Sequence, residues 1–181
     1  LLEPGRSLVG NAGVLLAGVL YLKPGGEKNF CIVDAAMNDL MRPAMYEAWM
    51  GIVACTLHDA PPLTMDVVGP VCESGDWLGR DRALAVQPGD RVAVLSAGAY
   101  GMSMASNYNS RGRAVDHHLG GEAWLIRERE PVAELFRNER LLPPRWHRAA
   151  WALTQFATAL LCGVLAWTGW GMVAMEREAP S

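Results

Sequence analysis

Between Arg148 and Glu176 the chain runs for 27 residues, 149–175, without an Asp, Glu, Lys or Arg. No other feature limits the fold as tightly. A stretch of that length and apolarity is a helix. It either crosses a hydrocarbon core of about 30 Å or packs inside a protein. Only Thr154, Gln155, Thr158 and Thr168 are overtly polar, and Trp146, Trp151, Trp167 and Trp170 lie toward its ends, where aromatic belts form. Arg145 and Arg148 flank one side; Glu176, Arg177 and Glu178 flank the other. Gly163, Gly169 and Gly171 weaken a helix in water. The expectation is an apolar helical tail over 144–181, with membrane contact through 149–175 and the preceding residues on the cytoplasmic side. A packed helix of a soluble protein is the alternative.

The remainder is ordinary by comparison. Residues 1–148 carry 15 basic and 17 acidic side chains, close to the usual share of about 25% for a soluble domain. With 51% hydrophobic residues the chain is not disordered. A net charge of −3 and a pI near 5.8 argue against a nucleic-acid binder driven by a global basic field. Cys31, Cys55, Cys72 and Cys162 form no C-x-x-C pair, which argues against a zinc site and a disulfide framework. Cys31, Cys55 and Cys162 are expected as buried small apolar residues. The chain opens at Leu1 with no Met and no targeting segment, so it is expected to be the middle of a longer protein.

Short apolar runs between Gly/Pro turns indicate a mainly β barrel or sandwich over 1–143, with short helices. Residues 8–21 read as one buried strand or two. Residues 30–33, 65–69 and 91–95 read as strands, and 118–127 as a hairpin around Gly120-Gly121. Residues 38–49 suggest a helical turn interrupted at Arg42-Pro43, and 131–140 a short helix. No alternating βα pattern occurs, so a TIM barrel or Rossmann unit is not expected in these residues.

Chemistry concentrates in a few polar turns. Glu3-Pro4-Gly5-Arg6 joins a glycine that admits close approach to an anion with a bidentate Arg. Arg42 and Tyr46 lie four apart and face one way on a helical turn, a pair suited to a carboxylate. Cys72-Glu73-Ser74-Gly75-Asp76 follows a strand; a thiol there can move a proton and Glu73 can bind an ammonium group. Tyr100, at a strand end among small residues, can hydrogen-bond a phosphate. Each also reads as an ordinary surface or half-buried residue. His117 and His118 point to opposite sides of a strand and share no metal.

In order, EPGRSLVGNAG, CIVDAAMNDLMRPAMYEAW, DVVGPVCESGD and SAGAYG resemble the C-terminal part of the diaminopimelate decarboxylase family. The resemblance covers roughly residues 1–143. It implies the C-terminal β-domain of a pyridoxal-phosphate enzyme of the alanine-racemase-like fold, acting in lysine biosynthesis in the cytoplasm. It implies decarboxylation of meso-diaminopimelate to L-lysine, a homodimer, and an N-terminal TIM barrel carrying the cofactor lysine. Neither Lys23 nor Lys28, at a Gly-rich turn, resembles that lysine.

By the same resemblance Glu3, Pro4, Gly5 and Arg6 meet the cofactor's phosphate side. Tyr100 reaches cofactor and substrate. Arg6, Arg42, Tyr46 and Glu73 contact substrate, and Cys72 is the general acid delivered across the dimer interface. Glu73 after the Cys favours diaminopimelate over ornithine, whose enzymes carry Asp there. Arg111-Gly112-Arg113 departs from the family in its Gly, and residues from 144 onward have no counterpart. Two other readings stay open: a related ornithine or arginine decarboxylase domain, and a non-catalytic, membrane-tethered binding or dimerisation module.

Overall fold

The computed structural model describes residues 4–135 and 144–178. The chain divides into two compact units, Leu1–Val132 and Ala133–Ser181. The first is mainly β. Helix α1 (Gly5–Val9) runs into a 3₁₀ turn (Gly10–Ala12) and then strand β1 (Val14–Lys23). There follow β2 (Phe30–Val33), α2 (Arg42–Tyr46), β3 (Ile52–Ala54), β4 (Leu63–Val68), β5 (Trp77–Leu84) and β6 (Arg91–Leu95). A separate ribbon pairs β7 (Asp116–His118) with β8 (Trp124–Arg127). The second unit holds α4 (Pro144–Glu178).

Six strands form one sheet in the order β3-β6-β1-β2-β4-β5. All pairs are antiparallel except β2 with β4, where Phe30 faces Asp66. The sheet curls until its edges approach: a Cβ built on Gly79 of β5 would stand 2.8 Å from Cδ1 of Ile52 on β3. The result is a nearly closed, barrel-like sheet. Its interior follows the period-2 alternation of the strands. Cys31 and Val33 of β2, Val67 of β4, Leu78 of β5 and Val92 and Val94 of β6 are fully buried. Each contributes on the order of 2 kcal/mol by leaving water. Burial pushes the Cys31 thiol up to about 11, so it acts as a small hydrophobe.

Several expectations change. Residues 8–12 are helical, because Pro4 starts α1 and Gly10-Asn11 favours a turn over a strand. Pro43 lies in the first turn of α2, where its missing N–H costs nothing, so it helps start the helix and does not interrupt it. Strands β3 and β5 lacked a clear alternating signal; both are edges, and β5 carries charges on its outer face. Cys55 is exposed because β3 is a three-residue edge strand that ends just before it. Cys162 is exposed on α4. Helix α3 (Val132–Leu135) occupies the start of the helix expected over 131–140. Residues from 136 to 143, including the expected boundary at 143, lie outside the described residues.

Two carboxylates, buried Asp66 and half-buried Asp90, pin loops to the sheet. Asp66 on β4 accepts from Lys28 Nζ at 2.7 Å and from the Asp81 amide at 2.8 Å. Burial raises its pKa, but the Lys28 pair and the amide outweigh burial and hold it below the ordinary carboxylate range. Asp90 is held low first by the Gln87 amide, then by His58 at 2.6 Å. Carboxyls depressed in the folded state stabilise it above their unfolded value near ~3.9 and lose that as pH falls through the folded value. Stability should therefore decline below about pH 4. Asp66→Asn is expected to flatten that acid limb in urea melts run against pH. An unchanged slope would remove Asp66 from the account.

Candidate active site

Three segments distant in sequence meet at one end of the sheet. Helix α1 brings Arg6, α2 brings Arg42 and Tyr46, and the loop after β6 brings Ser96 to Tyr100. Arg6, Ser7, Arg42, Trp49, Ser96 and Ala99 line an open cavity of about 470 Å³. The Arg42 guanidinium carbon stands 5.9 Å from the Tyr46 ring centre and 5.6 Å from that of Tyr100. Both lie within cation–π range, which orients the fork without consuming its N–H donors. Tyr100 also borders a second groove of about 870 Å³ along Val14–Leu16 and Val115–Leu119.

Backbone contacts fix this junction. Gly98 donates its N–H to Gly10 O at 3.0 Å, and Ala97 donates to Gly13 O at 2.8 Å. A Cβ on Gly98 would lie 2.1 Å from Val9 O, so only glycine admits the approach. Ser96 and Tyr100 sit in the left-handed region, at φ 62° and 58°. Such residues cost on the order of 1–3 kcal/mol each and persist where surrounding contacts over-determine them. Here Ser96 Oγ donates to Asn11 Oδ1 at 2.9 Å, tying the strained loop back to the helical entry.

Cys72 and Glu73 border neither cavity. They are exposed on the loop between β4 and β5. Asp76, only 4% exposed, shapes that loop. Its carboxylate accepts from the Val71 amide at 2.6 Å and the Met37 amide at 2.7 Å, joining the Cys72 loop to the turn after β2. Asp76→Ala leaves both amides unpaired. The expected cost is about 3 kcal/mol in a urea melt, with the Cys72 loop the first region to gain hydrogen exchange. A loss below about 1 kcal/mol would show that the loop holds itself.

Tyr108 was not singled out by sequence, yet its hydroxyl donates to Glu73 Oε1. The carboxylate keeps the phenol protonated above its ordinary range. A strained turn presents it, with Asn109 and Ser110 at φ 57° and 55°. Arg111 anchors the turn, donating from Nε to buried Asn38 Oδ1 at 2.9 Å and from its terminal nitrogen to Asp34 O at 2.6 Å. The Asn-rich segment announced a turn; nothing in it announced which carboxylate the phenol would meet.

Pro4 and Gly5 are exposed at the entry of α1, and a Cβ on Gly5 would meet nothing within 4 Å. Glu3 lies outside the described residues. Lys28 is committed to Asp66. His118 stacks on Trp124 with ring centres 4.1 Å apart.

The family model for the pyridoxal-dependent decarboxylase C-terminal sheet domain matches residues 8–98. The diaminopimelate decarboxylase of Pseudomonas aeruginosa is 58% identical over 142 residues, 78% of this chain and 34% of the relative. That of Neisseria meningitidis is 56% identical over 140 residues, 77% of this chain and 34% of the relative. Among solved structures, the diaminopimelate decarboxylase of M. jannaschii in complex with L-lysine is 44% identical, with a TM-score of 0.72, over 77% of this chain and 32% of that one. The Helicobacter pylori enzyme with L-lysine is 45% identical, with a TM-score of 0.69, over 75% and 34%. The chain thus spans about a third of the length of the relatives it matches. With the curled sheet, the sheet-domain match and these relatives in agreement, the chain belongs to the pyridoxal-dependent decarboxylase family, whose C-terminal sheet domain it carries.

Proposed function

We propose that this chain is the sheet domain of a diaminopimelate decarboxylase, which converts meso-diaminopimelate to L-lysine and carbon dioxide in the cytoplasm. The observation that carries the reading is that Arg6 and Arg42, from distant segments, line one open cavity, with the Arg42 guanidinium 5.9 Å from the Tyr46 ring centre and 5.6 Å from that of Tyr100. The substrate has an amino-acid group at each end, so the end that does not react must be held by opposite charges. Arg6 and Arg42 suit its carboxylate, and Glu73 suits its ammonium.

The residues present fit pyridoxal phosphate. Arg6 and the open space beside Gly5 suit a phosphate, and Tyr100, on a second groove and 5.6 Å from the Arg42 guanidinium, carries a phenol that can donate a hydrogen bond. When bound, the cofactor supplies an electron sink for the charge left by the departing carboxylate. The chain's own residues bind, orient and move a proton. Cys72 Sγ gives a proton to the carbon that lost its carboxylate, and Tyr108 holds Glu73 in place.

Cys72 and Glu73 lie outside the cavity that Arg6 and Arg42 line, which supports their working in a partner's site across a homodimer interface. The remaining length of the relatives leaves room for the cofactor-bearing barrel. Exposed Val14, Leu16, Val115 and Leu119 offer apolar surface for it to cover.

The complete two-domain protein, loaded with pyridoxal phosphate, should release carbon dioxide from meso-diaminopimelate and form lysine. Ornithine or arginine turned over faster would overturn the substrate assignment. Tyr108→Phe is expected to raise KM about tenfold while kcat stays near the parent value, because a bond to a charged group is lost at the binding end of the substrate. A fall in kcat at constant KM would place Tyr108 at the reacting end instead.

A further inference from the structure

We propose that α4 inserts into a lipid bilayer across Arg148–Thr168, so that the decarboxylase sheet domain is membrane-attached. The inference is independent of the substrate. It rests on four properties of the helix.

The first is length: 21 residues at ~1.5 Å each give about 31 Å, against a hydrocarbon core of about 30 Å. The second is that exposed apolar side chains occur on every side. Stepping ~100° per residue, Trp151, Leu153, Phe156 and Leu161 fall in different quadrants, and all are more than half exposed. A helix that docks on a protein normally keeps one polar face, whereas lipid contact demands none. Third, the hydroxyls are satisfied within the helix. Thr154 donates to Ala150 O at 2.9 Å, Thr158 to Thr154 O at 2.9 Å and Thr168 to Val164 O at 3.0 Å. In hydrocarbon an unbonded hydroxyl costs several kcal/mol, so this closes most of the polar account; Gln155 is the single side-chain amide left. Fourth, Arg145 precedes the span and Arg148 begins it, while Trp167 lies just inside its far end and Trp170 just beyond, 80% and 73% exposed. Arginines on the N-terminal side keep the preceding residues cytoplasmic, and the indoles suit the far interface.

Four native cysteines supply the test without added probes. The full 181-residue chain is mixed with vesicles of phosphatidylcholine and phosphatidylglycerol, floated on a gradient and washed with alkaline carbonate. It should float and resist the wash. Labelling by a membrane-impermeant maleimide should slow at least about tenfold at Cys162 when vesicles are present, and stay unchanged at exposed Cys72. The double substitution L161R/V164R should cut the floated, wash-resistant fraction at least about tenfold. Cys31, buried in the sheet, reports that this variant remains folded by staying unlabelled. The proposal is overturned if the chain stays at the bottom of the gradient, or if carbonate strips it. It is equally overturned if Cys162 is protected without lipid, which would mean that protein covers the helix. Loss of decarboxylation alone would not affect this result, so the two readings fail separately.

Discussion

Cys72→Ala is expected to lower turnover of meso-diaminopimelate by about 10²–10⁴-fold in the complete enzyme, the usual contribution of a positioned proton donor. The carboxylate leaves behind an electron pair, and product forms only when a proton arrives at that carbon. Alanine removes the donor and little else. The thiol is exposed, so no cavity opens and the domain's melting point should hold. KM should also hold, because Glu73 and Tyr108 remain to bind the ammonium end. Glu73→Gln should show the reverse pattern, with KM raised and a smaller change in kcat. If the Cys72→Ala enzyme turns over at the parent rate, the thiol does not deliver the proton.

Gly98→Ala is expected to cost ~4 kcal/mol, in the upper tail for a single substitution. The added methyl would lie 2.1 Å from Val9 O and 2.6 Å from Gly13 N. Both are backbone atoms, so no side-chain rotation relieves the clash. The strand end and the α1 turn must separate, breaking the bonds from Gly98 N to Gly10 O and from Ala97 N to Gly13 O. Arg6 then parts from Ser96 and Ala99, and the 470 Å³ cavity loses one wall. In a urea melt the midpoint should fall with the slope retained, while binding of pyridoxal phosphate weakens in the complete enzyme. A stability loss under about 1 kcal/mol would show that the two segments slide apart freely.

Strands with clean alternation were legible from residues alone: β2, β4 and β6 stand where short apolar runs end at Gly, Pro or Asp. The long apolar helix was legible too. Residues 8–12 were not, because Leu8 and Val9 carry strand-like composition, and a tertiary contact, Gly98 against Val9, decides the local shape. Edge strands β3 and β5 were hidden for a related reason. Arg80 and Arg82 on β5 cover Trp77 and Trp49, at 4.2 and 4.5 Å, so their charge broke the apolar signal while their position still belonged to the sheet. Of the candidate site, the Arg42–Tyr46 pair was readable from helical spacing. Its meeting with Arg6 and Tyr100, and the bond from Tyr108 to Glu73, depend on long-range closure that spacing does not encode.

The parallel pairing of β2 with β4 has a consequence for the order in which the protein is made. The chain must leave β2 after Val33 and come back alongside it only at Leu63, and Arg42, Tyr46, Trp49 and the edge strand β3 are carried on that excursion. Meanwhile β1 waits for β6: Leu15 pairs with Val94, far along the chain. A nascent chain emerging from a ribosome therefore holds β1 with one bare edge throughout the synthesis of β2 to β5. Arg6 meets Ser96 and Ala99 only after Leu95 has been added and β6 has sealed the bare edge of β1. The cavity is thus a late product of synthesis, and a chain stalled before that point carries every residue of α1 and α2 with no site between them.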